Sequence, residues 1–286
     1  MDKNLLQRSI TGIIFVAVLV GAILWNAYSM AALFLLIIIL GLREFYALAE
    51  KTGARPQKVL GILLGILIFL LIFLLQTHVK IPTGFNTRYA ILLVILLFPF
   101  LLFIIELIRK SETAFSNVAF TLLGCLYISV PFALWNIPVI EYSFKGANPG
   151  FHYNLHLLLG FFILLWTNDT MAYVCGRLFG KHKLLERISP KKTWEGFIGG
   201  FLFAVAGGWV VSKYYIEFSE MEWMIIAAVI SVTGTAGDLV ESMFKRNTGV
   251  KDAGTLLPGH GGILDRFDGV LMASPFVVVL MLYFLR

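Results

Sequence analysis

"WMIIAAVISVTGTAGDLVESM", Trp223 to Met243, is apolar over a length that crosses a membrane and turns polar only towards its end. A hydrocarbon core about 30 Å thick needs about 20 residues at a rise of about 1.5 Å each, so the segment reads as a transmembrane α-helix. Eight further segments read the same way: Ile10–Trp25, Met30–Ala49, Val59–Leu75, Tyr89–Ile108, Phe115–Ile137, Leu155–Cys175, Phe197–Tyr215 and Phe267–Leu285. The 286 residues are 59% hydrophobic and 14% charged, whereas a soluble domain carries about 25% charged residues. The chain is therefore expected to be an all-α polytopic integral membrane protein with about nine transmembrane helices. The first segment follows Lys3 and Arg8 and also resembles a signal peptide, but a second span follows it after a short turn. Cys125 and Cys175 lie in apolar segments and read as core residues, not as a disulfide or zinc site.

Basic residues set the orientation. With a cytoplasmic N-terminus, only Lys80, Arg88, Lys145, Lys213 and Arg286 of the 23 lysines and arginines fall outside. Nine spans then place the C-terminus on the opposite side. Residues 1–150 are apolar spans joined by short turns and carry little chemistry, which suits a scaffold for lipid access and dimerisation. Arg43, Glu44 and Glu106 lie near span ends there, where interfacial snorkelling or a local pair accounts for them. Residues 151–286 hold the dense polar motifs, at 189–200 and 238–268, and are expected to form the catalytic region. No nucleic-acid partner is expected.

An acid inside a spanning helix costs about 2.5–3.5 kcal/mol on insertion scales and needs a partner or a purpose. Asp169 lies in "LLWTNDTMAY". Asp238, Glu241 and Ser242, at i, i+3 and i+4, share one helix face. Asp265 and Asp268 open the last span, again one turn apart. Carboxylates converging from helix ends suit Mg²⁺, which keeps several waters and shares its other positions with substrate phosphates. Capping and interhelical hydrogen bonding are the structural alternatives for any single one of these acids.

Between Met243 and Phe267 the chain is rich in cations and glycine, with Lys245, Arg246, Lys251 and Arg266 around Pro258, Gly259, His260, Gly261 and Gly262. Glycine permits positive φ and close approach to a ligand, and successive free N–H groups form anion-binding nests. A second basic stretch, "SPKKTWEGFIGG", carries Ser189, Lys191 and Lys192. Its Ser189-Pro190 pair reads as a helix N-cap followed by proline at the first helical position, a start that would present N–H groups to phosphate. Cations, carboxylates and glycine turns on one side of a membrane indicate phosphoryl or nucleotidyl transfer between a cytoplasmic nucleotide and a lipid. No Ser/His/Asp arrangement accompanies them.

The stretch "SMFKRNTGVKDAGTLLPGHGGILDRFD", Ser242 to Asp268, resembles the signature of the phosphatidate cytidylyltransferases, also called CDP-diacylglycerol synthases. "SPKKTWEG", Ser189 to Gly196, is similar to a second stretch of that family. The resemblance covers about residues 165–270. It implies conversion of CTP and phosphatidate to CDP-diacylglycerol and pyrophosphate by an Mg²⁺-dependent homodimer at the cytoplasmic face of a bacterial inner membrane. It also implies metal binding at Asp238 and Asp265 and allows K⁺ alongside Mg²⁺. Asp268 and Asp169 are further metal candidates. Lys245, Arg246, Lys251 and Arg266 are expected to hold phosphates, with His260 donating to a phosphate oxygen, and Ser189, Lys191, Lys192, Ser242, Gly259, Gly261 and Gly262 to bind substrate. Two other functions stay open on the residues alone: a CTP-dependent polyprenol kinase, and an ion-coupled transporter using Asp169 and Asp238.

Overall fold

A computed structural model describes residues 3–77, 87–143, 150–250, 252–254 and 261–286. Among the described residues, eight helical spans are long and apolar enough to cross a membrane: Ala27–Glu50, Lys58–Thr77, Leu92–Arg109, Ala114–Val139, Leu155–Phe179, Trp194–Val211, Glu220–Asn247 and Leu264–Phe284. The first helix adds a shorter apolar stretch, Ile10–Trp25, with the bounds expected for the first span. The chain is an all-α polytopic integral membrane protein.

Two compact units divide it, Met1–Tyr153 with Asp252–Leu264, and Asn154–Lys251 with Asp265–Arg286. Residues 252–264, expected within a C-terminal region, thus group with the first unit.

In the first unit, α1 (Lys3–Trp25), α2 (Ala27–Glu50), α3 (Lys58–Thr77) and α4 (Thr87–Arg109) are followed by α5 (Ala114–Gly124). Asn26 caps α2 through its side-chain oxygen, which accepts from the backbone N–H groups of Tyr28 and Ser29. Met30, Phe34, Ile37, Ile38, Leu42, Phe45 and Tyr46 recur at three- and four-residue steps and bury one face of α2. Phe34 meets Phe69 and Phe132 edge to face, at centroid distances of 6.5 and 5.0 Å.

The fifth expected span, Phe115–Ile137, is interrupted. After α5 a π-helical turn, Cys125–Ser129, precedes α6 (Val130–Leu134) and α7 (Asn136–Val139). Beside it the Tyr46 hydroxyl donates to the Thr121 carbonyl at 2.9 Å. Strands β1 (Ile140–Ser143) and β2 (Gly150–Tyr153) pair antiparallel. Glu106 does not snorkel. It is 2% exposed and accepts from Gln57 Nε2 at 2.7 Å, Asn117 Nδ2 at 2.8 Å and Arg109 at 2.5 Å. Its local pair, with Arg109, is thus one arm of a buried network that pins α4 to α5 and to the start of α3.

The second unit contains α8 (Leu155–Phe179), α9 (Trp194–Val211), α10 (Glu220–Asn247), α11 (Leu264–Phe284) and a hairpin of β3 (Lys183–Leu185) and β4 (Ser189–Thr193). Helix α9 buries Gly196, Gly200, Ala204 and Gly208 at four-residue steps. A Cβ on Gly200 would lie 2.8 Å from the Asn168 carbonyl oxygen of α8, and one on Gly208 would lie 3.0 Å from the Trp223 carbonyl carbon of α10. Small residues let the helix backbones meet where no hydrophobic force exists in lipid to draw them together.

One sequence expectation is corrected. Ser189-Pro190 does not start a helix, because both residues lie in β4, paired with β3. The cap is Thr193, whose backbone is extended (φ −127°, ψ 155°) and whose hydroxyl accepts from Gly196 N–H at 3.2 Å. Glu195 in the first turn of α9 accepts from the backbone N–H groups of Lys181 and His182, at 3.0 and 3.2 Å, and so ties the hairpin to the helix.

Candidate active site

Within the second unit, α8, α10, α11 and the β3–β4 hairpin bring together most of the residues singled out above. Helix α10 is capped by Ser219, whose hydroxyl accepts from Glu222 N–H, and it runs to Asn247 with Lys245 and Arg246 in its last turn. Gly237 lets α11 approach closely, since a Cβ there would lie 2.9 Å from Met272 Cβ and 3.1 Å from the Asp268 carbonyl carbon. That contact sets Asp238, the next residue on α10, near Asp268. Asp268 interacts electrostatically with Asp238, Asp169 and Lys192, and Asp169 with Asp238 and Lys192.

Each acid also has a specific neighbour. Lys192 Nζ of β4 lies 2.7 Å from Asp238 Oδ2, and Ser242 Oγ donates to Asp238 Oδ1 at 3.2 Å. Lys245 Nζ lies 2.5 Å from Glu241 Oε2 and 2.6 Å from Asp265 Oδ1. Asp268 accepts from the N–H of Gly269 at 2.7 Å. Asn168 donates to Asp169 Oδ1 at 3.1 Å and accepts from the Ser231 hydroxyl of α10 at 2.6 Å.

Two lysines thus face five carboxylates: Asp169, Asp238, Glu241, Asp265 and Asp268. Lys192 was expected to meet substrate and Asp238 a metal, yet in this structure they pair with each other, as do Lys245 and Asp265. Among the described residues no three His, Cys, Asp or Glu side chains form a closed metal-binding group. By chemical type, however, this is a set of hard oxygen donors. Its oxygens outnumber its cations, and Mg²⁺ takes one or two carboxylates and fills its octahedron with water and phosphate.

Arg246, Arg266 and Lys191 are exposed around this cluster and Ser189 is half-buried on β4. Gly261, at φ +84°, and the buried Gly262 belong to the first unit. Lys251, Gly259 and His260 lie outside the described residues. Glu241, 2% exposed between the two groups of charges, was not expected to take part. Its i, i+4 relation to Lys245 was the available signal.

The protein is thus of the polytopic membrane class and carries a cluster of carboxylates and lysines on its spanning helices α8, α10 and α11 and on the β3–β4 hairpin. A family model described as the cytidylyltransferase family matches residues 6–284, and the chain belongs to that family. It is 39% identical over 185 residues to the phosphatidate cytidylyltransferase of Staphylococcus haemolyticus, covering 64% of this chain and 66% of the relative. It is 40% identical over 185 residues to that of Staphylococcus saprophyticus, with the same coverage. With that of Staphylococcus aureus it shares 39% over 177 residues, 61% of this chain and 63% of the relative. The matched part therefore spans a little under two thirds of these relatives' length.

Proposed function

We propose that this protein transfers CMP from CTP to phosphatidate, forming CDP-diacylglycerol and pyrophosphate, at the cytoplasmic face of a bacterial inner membrane. Support comes above all from the five carboxylates of α8, α10 and α11 set against Lys192 and Lys245. Such a mixed-sign cluster suits a polyphosphate and a divalent cation together, and neither alone. The activity named for the staphylococcal relatives supports the choice of substrates.

In the proposed reaction a phosphate oxygen of phosphatidate attacks the α-phosphorus of CTP. A new P–O bond forms, the bond to the β-phosphate bridging oxygen breaks, and pyrophosphate leaves with that electron pair. The nucleophile is largely ionised at pH 7, so the barrier lies in bringing anions together and in the charge on the leaving group. Lys245 would exchange its carboxylate partners for phosphate oxygens, and Arg246, Lys251 and Arg266 would hold the remaining phosphate charge. His260 would donate to a pyrophosphate oxygen. Ser189, Lys191, Lys192, Ser242, Gly259, Gly261 and Gly262 would line the substrates. Asp238, Asp265, Asp268 and Asp169 would hold Mg²⁺, which supplies charge neutralisation at the triphosphate, and their excess of charge accommodates a second cation such as K⁺. Residues 1–150 would supply the lipid entry and the homodimer surface.

The test is purified protein in detergent with labelled CTP, phosphatidate and Mg²⁺. A lipid-soluble cytidine product with release of pyrophosphate is expected. Release of CDP, or no lipid product at any Mg²⁺ concentration, refutes the proposal.

A further inference from the structure

Glu44 stands apart from the cluster described above. It lies near the end of α2 in the first unit, beside Arg43, and its setting is not that of a surface acid. Arg43 is exposed, whereas Glu44 is half-buried and its Oε2 accepts from the backbone N–H of Leu264 at 3.0 Å, across 220 residues of sequence. Two glycines close around the same carboxylate. A Cβ on Gly262 would lie 2.5 Å from Glu44 Oε2 and 2.8 Å from Cδ, and a Cβ on Gly254 would lie 2.8 Å from Cδ. Real Cβ atoms do not come so close, so a methyl at either position would push the Glu44 carboxylate aside.

The segments concerned, 252–254 and 261–264, are the two flanks of residues 255–260. Their apolar members are buried: Ala253 at 8% exposure, Ile263 at 6% and Leu264 at 2%. Gly41, one turn before Glu44 on α2, continues the seat, for a Cβ there would lie 3.7 Å from Leu264 Cδ2. One side chain of α2 thus holds both ends of the glycine-rich loop.

We propose that Glu44 is a positioning residue that clamps the segments 252–254 and 261–264 to α2, at Gly254, Gly262 and Leu264. The catalytic consequence rests on the function proposed above, but the clamp itself does not. Flanks held in place before substrate arrives leave less ordering for binding to supply, which favours turnover over mere affinity. Glu44→Ala is therefore expected to lower kcat for CMP transfer at least ten-fold with a smaller change in KM for CTP. Glu44→Gln, which keeps the shape and an acceptor oxygen, is expected to retain an intermediate kcat.

The deciding experiment uses the full chain in detergent and has two arms. Hydrogen exchange without nucleotide is measured for peptides spanning 252–254 and 261–266 in wild type and Glu44→Ala. A double-mutant cycle then joins Glu44→Ala with Gly262→Ala. Exchange at least ten-fold faster in those peptides, with α2 and α3 unchanged, is expected. In the cycle, Gly262→Ala should be strongly deleterious in wild type and nearly harmless in the Glu44→Ala background, where the added methyl has room. Exchange unchanged in the loop flanks, or additive effects in the cycle, overturns the proposal. If wild type proves unable to transfer CMP, the proposed reaction falls, and the exchange measurement with a thermal-stability cycle still decides the clamp. Should Glu44→Ala fail to fold, the same exchange readout is applied to Gly262→Ala, where unperturbed flanks overturn the proposal equally.

Discussion

Lys192 on the short hairpin and Asp238 on the transmembrane helix α10 sit 2.7 Å apart, a β-strand cation held on a membrane-helix acid. Both side chains are partly open, at 26% and 40% exposure, and such pairs add only about 0–1 kcal/mol to stability. Lys192→Gln should therefore leave the thermal midpoint almost unchanged while lowering turnover at least ten-fold. Near-normal turnover would assign the pair to structure alone.

Lys245 lies between Glu241 and Asp265, with side-chain exposures of 13%, 2% and 9%. Removing one partner of a buried charge pair costs about 3–5 kcal/mol, less where water reaches the site. Lys245→Gln is expected to lower both thermal stability and turnover. Arg246→Gln, at an exposed position on the same turn, should lower turnover alone. The exposed Lys183 of β3 should tolerate Gln in both measurements. Unfolding curves and CMP-transfer assays on the three variants separate these outcomes.

Asp238→Asn and Asp265→Asn keep the side-chain shape and remove the charge. Each should abolish nearly all turnover and raise the Mg²⁺ requirement, and the double mutant should be scarcely worse than either single one. Additive losses with an unchanged Mg²⁺ dependence would reduce both residues to partners of Lys192 and Lys245.

Gly200→Val tests the seam between α8 and α9. Its side chain would collide with the Asn168 carbonyl and with Ala172 Cβ, both under 3 Å from the first added carbon. Overpacking of this kind costs about 1–3 kcal/mol, so a clear fall in the thermal midpoint in detergent is expected. An unchanged midpoint would mean that the two helices can part without loss.

A reporter fused after Arg286 tests the orientation. One that is active only outside the cytoplasm should be active, and one that works only in the cytoplasm should be silent; the reverse pattern inverts the assigned topology.

The spans were legible because lipid imposes a length and a composition that few other environments demand. The same holds for Asp238 with Ser242 and for Asp265 with Asp268, whose spacing places each pair on one helix face. The β3–β4 hairpin was hidden because Ser189-Pro190 satisfies the local chemistry of a helix start and of an edge strand equally well, and only the pairing with Lys183 and Leu185 selects the strand. The π-helical turn at Cys125–Ser129 carries no proline or glycine to announce it. Glu44 was unreadable for a different reason. Its known partners are a backbone N–H and the space over two glycines some 210 to 220 residues away, and neither leaves a period or a charge pattern in the sequence.

That separation has a consequence for how the protein is made. The Glu44 to Leu264 hydrogen bond joins the second span, inserted early, to a residue added to the growing chain 220 positions later. Until then α2 must wait in the bilayer with a carboxylate whose counterpart has not been synthesised. A nascent chain stalled anywhere before Leu264 can occupy the membrane with most of its helices in place and still lack the backbone that Glu44 is shaped to receive.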